Sequence, residues 1–65
     1  MINIYESNMT RRTLLDTAPT FVEAKAKVEA MGVAFMEDDA DYAYCADAYL
    51  NDGRIVAIQP EGFTL

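Results

Sequence analysis

The sequence predicts a small α+β fold: an antiparallel sheet of four or five strands with one main helix packed on one face. Three observations lead there. A single capped helical stripe lies near the middle of the chain, apolar alternation occurs on both sides of it, and Asn51-Asp52-Gly53 separates two strand-like runs as a tight turn would.

Taken in order, Ile2 and Ile4 alternate with Asn3 and Tyr5, which marks a short strand over residues 2–6. Ser7-Asn8 suits a turn. Thr10 to Thr17 contains β-branched residues and is expected to return as the hairpin partner, with Leu14 facing the core. Thr20 and Glu23 then form the S/T-x-x-E pattern of a capping box, whose side chains satisfy backbone N–H groups left free at a helix start. Phe21, Ala24, Val28 and Met31 follow at helical spacing, and Gly32 stands where a left-handed cap is wanted, so the helix is placed at about residues 20–31. Val33 to Met36 reads as a strand. Residues 38–45 can be read in two ways. Asp38 or Asp39 could cap a short helical turn that puts Tyr42, Cys45, Ala46 and Tyr49 on one face, or the segment is a loop. The helical turn is the favoured reading. A hairpin of 46–50 with 54–59 completes the sheet, and Pro60 ends it. There are no internal repeats or linkers, and 65 residues are expected to form one domain.

Composition narrows the classes of function. A chain of this size buries only about 60% of the surface it exposes when unfolded, so its core is thin; a hydrophobic content of 52% is enough for it to fold unaided. Cys45 is the single cysteine and histidine is absent, which excludes a disulfide-stapled scaffold and an intramolecular Cys/His zinc site. Met1 to Glu6 lacks the basic and apolar regions of a signal peptide, and no apolar run approaches the ~20 residues of a membrane span. A soluble, cytoplasmic protein is expected.

The net charge of −6 disfavours direct contact with nucleic acid or with an anionic membrane, and it favours a basic protein surface as partner. That charge is one-sided. Four acidic and four basic residues precede Glu37, whereas from Glu37 onward seven acidic residues face Arg54 alone. Glu37, Asp38, Asp39, Asp41, Asp47 and Asp52 form a block interleaved with Tyr42, Tyr44, Tyr49 and Leu50. So much packable sequence indicates carboxylates displayed on a folded surface rather than a disordered acidic tail.

Catalysis is not expected. Two carboxylates such as Asp39 and Asp41 would need a cleft that so small a fold has little room for, and Cys45 has no base partner. A calcium loop starting at Asp39 would need Gly in sixth place and Glu in twelfth, where Tyr44 and Leu50 stand. No cofactor or metal is expected. A rigid anionic surface could instead imitate the charge density of a nucleic-acid backbone, about one negative charge per 1.7 Å of duplex, and compete for Lys/Arg-lined channels by electrostatic steering. The plainer reading of the block is a solvated acidic face.

With the run Val33-Ala-Phe-Met-Glu-Asp-Asp-Ala-Asp-Tyr-Ala-Tyr-Cys-Ala-Asp-Ala-Tyr-Leu-Asn-Asp-Gly-Arg in place, the whole chain resembles, in size, acidity and layout, the small anti-CRISPR proteins of phages and mobile elements, most of all inhibitors of the type I-C system. The resemblance implies a monomer that binds the Cascade surveillance complex through a DNA-like acidic surface and excludes target DNA at the PAM-reading site. The residues it would use are Glu37, Asp38, Asp39, Asp41, Asp47 and Asp52. The alternative is a small protein-interaction or oligomerising accessory module without mimicry.

Overall fold

The computed structural model describes residues 1–8 and 10–63. Five strands and one helix occur in the order β1 (Ile2–Ser7), β2 (Arg12–Ala18), α1 (Phe21–Glu29), β3 (Val33–Asp38), β4 (Ala46–Leu50) and β5 (Ile55–Pro60). They form one antiparallel sheet in the order β2-β1-β5-β4-β3, so the α+β class is as the sequence predicts. The helix lies between the two edge strands in sequence and carries the chain from one side of the sheet to the other.

Helix α1 starts where its cap requires. Thr20 is extended, and its Oγ1 accepts a hydrogen bond from Glu23 N–H at 3.2 Å. At the far end Gly32 takes φ +89°, a left-handed conformation that strains any residue with a Cβ. Its N–H reaches Glu29 O, and its carbonyl accepts from Asn51 N–H at 2.9 Å, which ties the helix end to the β4–β5 turn. In that turn Gly53 takes φ +94°, as the Asn-Asp-Gly sequence anticipates.

Strand alternation divides the sheet into two unlike faces. Towards the helix point Ile2 and Ile4 of β1, Ala46, Ala48 and Leu50 of β4, and Val56 and Ile58 of β5. These pack with Ala18, Ala24 and Val28, and Ile4, Ile58, Val28 and Val56 are fully buried. Phe21, Met31, Val33 and Met36 complete this core at its margin. Among the described residues, no helix is long and apolar enough to cross a membrane.

Two expectations are corrected. Leu14 does not face the core: it stands opposite Tyr5, on the face away from the helix, and is 54% exposed. The cause is a bulge. Ile4 pairs with Asp16 and Tyr5 with Leu14, so Leu15 is an extra residue that shifts the register, and β2 contributes Ala18 to the core instead. Residues 39–45 form a loop and not a helical turn. Asp39 Oδ1 accepts from Asp41 N–H and Tyr42 N–H, an Asx turn that competes with helix, and Tyr44 at φ +63° cannot continue one. The preceding strand runs on through Glu37 and Asp38, beyond the expected end at Met36.

Candidate functional site

The loop that carries the acidic residues is pinned at several points. Asp39 N–H donates to Cys45 O at 2.9 Å and closes its base. The Tyr42 ring meets Phe63 edge-on at 5.3 Å between centroids, and the Tyr44 ring meets Phe21 at 6.0 Å. The loop is therefore anchored to the helix start and to the turn after β5, while both tyrosines stay exposed.

Of the six residues named from the sequence, the structure brings five to one end of the β3–β4 pair and separates the sixth. Glu37 and Asp47 stand directly opposite each other across β3 and β4. Both point away from the helix, in the row that continues through Ala57 to Tyr5. Asp38 points to the helix side, where Lys25 Nζ binds its Oδ1 at 2.7 Å. Asp39 and Asp41 follow in the loop. Asp52 lies at the opposite end of β4, in the β4–β5 turn, and pairs with Arg54 at 2.8 Å. Its carboxyl is held below the usual carboxylate range, chiefly by the backbone N–H of Arg54 and also by the guanidinium.

The block thus resolves into two kinds of carboxylate. Asp38 and Asp52 are neutralised by cations of the same chain. Glu37, Asp39, Asp41 and Asp47 have no salt-bridge partner among the described residues. Between Asp39 and Asp47 sits Cys45, 6% exposed; burial, helped by the charges of these two aspartates, pushes its thiol up. Like charges directly opposite on neighbouring strands destabilise a sheet, so the Glu37–Asp47 pair costs the free protein stability.

The uncovered sheet face beside this corner was less legible in the sequence. Tyr5, Leu14, Phe35, Tyr49, Ile55 and Ala57 all lie on it by register. Phe35 is 56% exposed, and its ring lies 6.0 Å from that of Tyr49 across the strand pair. The Arg12 guanidinium sits 4.6 Å over the Tyr5 ring and donates to Gln59 Oε1. A signal for this face exists in β5, where Ile55-Val56-Ala57-Ile58 is apolar on both sides, unlike a strand with one wet face.

No pocket opens on the described surface, and no group of three or more potential metal ligands occurs among the described residues. Comparisons with protein-family models, with characterised proteins and with solved structures find no match to this chain.

Proposed function

We propose that the protein is an inhibitor that docks its acidic corner onto a cationic, nucleic-acid-binding surface of another protein, and that the type I-C Cascade complex is the partner, at the site where PAM-bearing DNA is read. The observation that carries the reading is the gathering of Glu37, Asp39, Asp41 and Asp47 around one end of β3 and β4 with no neutralising cation among the described residues. A pinned loop presents these charges with little ordering cost on binding, and a surface lined with Lys and Arg supplies the missing cations. PAM readers use such side chains on duplex DNA, and steering makes association fast and sensitive to salt. The protein would act as a monomer, without cofactor and without catalysis.

The test is a gel shift of purified type I-C Cascade on PAM-bearing target DNA. Added protein is expected to abolish the shifted band at low salt and to lose potency as salt rises. Glu37→Gln, Asp41→Asn and Asp47→Asn together should weaken inhibition tenfold or more, at about 1.4 kcal/mol per tenfold. Asp38 and Asp39 are left intact because they hold Lys25 and the Asx turn. Undiminished DNA binding at saturating protein overturns the proposal.

A second reading, the oligomerising accessory module, is favoured by the apolar sheet face. It requires a stable homo-oligomer in light scattering that is indifferent to the three carboxylate substitutions.

A further inference from the structure

Five strands and one helix leave half of the sheet's surface without a covering layer, and that half is not polar. Phe35 and Tyr49 face each other across β3 and β4 with their rings tilted by 31°, Ile55 is the neighbour of Tyr49 on β5, and Leu14 and Tyr5 extend the apolar surface to β2. Exposures of 56% for Phe35, 54% for Leu14, 42% for Tyr49 and 40% for Ile55 are high for residues of this size clustered on one face. The composition is that of binding hot spots, with Tyr and Arg present and Lys absent.

The charges on this face distinguish between occupants. Glu37 and Asp47 project from it in the row next to Phe35 and Tyr49, and among the described residues no cation pairs with them. Arg12, at the other side, is engaged by the Tyr5 ring and Gln59. Arg12 keeps its charge, since both of these contacts are neutral, but it stands on β2 at the far edge; the unpaired charge next to Phe35 and Tyr49 is negative, and it calls for a partner that is apolar at its centre and cationic at that rim. A second copy, itself at net charge −6, matches that demand poorly.

We propose that the uncovered sheet face is the apolar half of the docking surface, and that its occupant is a protein surface presenting aliphatic or aromatic side chains beside arginine or lysine. This rests on the reading of the acidic corner as a docking site, and it adds that the partner is gripped by the sheet face as well as by charge. The cations that pair with Glu37 and Asp47 also come within reach of the Tyr49 and Phe35 rings, where cation–π attraction adds to the ion pairs.

The two contributions separate by their salt dependence. Titration of purified type I-C Cascade with the protein, followed by isothermal calorimetry at low and high salt, is the experiment. Phe35→Thr and Tyr49→Thr keep strand preference while removing the rings, and each should weaken binding about tenfold at both salt concentrations. Glu37→Gln should weaken it chiefly at low salt. Leu14→Ser, at the far side of the face, is expected to weaken binding about threefold. Thermal melts of every variant establish that it is folded. Ring variants that bind like the parent, while the parent binds and Glu37→Gln weakens it, overturn this inference and leave the acidic-corner reading standing. A parent that does not bind Cascade overturns both. A parent that dimerises through this face, with Phe35→Thr monomeric, overturns the inference by showing a second copy to be the occupant.

Discussion

At the scale of single residues, the small core sets the stakes. Ile58 has no exposed surface and lies among Ile4, Val28 and Val56. Truncating such an isoleucine to alanine costs about 2–5 kcal/mol, whereas a chain of 65 residues has roughly 3–10 kcal/mol in total at 0.05–0.15 kcal/mol per residue. Ile58→Ala is therefore expected to leave a large unfolded fraction at room temperature, measured by far-ultraviolet circular dichroism; a native spectrum with an unchanged melting midpoint contradicts this. Cys45 makes the second prediction. Its thiol is raised by burial and by Asp39 and Asp47, so the native protein should resist a thiol-specific reagent that labels the unfolded chain quickly. Because the folded value lies above the unfolded one, this contribution to stability is complete below the unfolded thiol's pKa, about 8.5, and is lost as pH rises through the folded value. Denaturant midpoints should fall with pH above that point less steeply in Cys45→Ala than in the parent. Residues such as Ile2, Ile4, Val28 and Ala24 were legible as core because local periodicity sets their faces. Leu14 was not, because a bulge one residue away decides its side, and only pairing with β1 creates that bulge.

At the scale of elements, the helix and the β4–β5 hairpin were legible because their stop signals are chemical: a threonine cap and two glycines in left-handed conformations. The 39–45 loop was not. Its alanines and tyrosines fit a helical period, but the Asp39 side chain takes the N–H groups of Asp41 and Tyr42 before a helix can form. The edge strands β2 and β3 each carry a bulge, at Leu15 and at Ala34, which twists an otherwise free edge and discourages pairing with another chain. On β3 the like-charged pair Glu37–Asp47 is expected to trade stability for binding. Glu37→Lys turns the repulsion into an opposite-charge cross-strand pair and should raise stability by about 0.2–1 kcal/mol in denaturant titration. The same substitution should weaken inhibition in the gel shift. A variant that is both less stable and fully inhibitory would remove the case for this pair.

At the scale of the whole molecule, the imbalance of charge was legible from composition along the chain, but its partition was not. Asp38 is neutralised by Lys25, thirteen residues away and on the helix, a contact that requires the crossover of α1 to be in place. The uncovered sheet face was hinted at only by the two-sided apolar run Ile55–Ile58, since nothing local reveals that the helix screens only one side of five strands. The strand order itself has a further consequence. The first and last strands lie side by side in the middle of the sheet, and Glu61 N–H reaches Met1 O at 2.9 Å. Until β5 exists, β1–β2 and β3–β4 are two separate ribbons with no edge in common. The strand that joins them is therefore β5, and the sheet closes only when it takes its place between β1 and β4. Met1 and Glu61 lie close enough that a short linker could join the two strands that carry them, in a circular permutant opened at one of the loops.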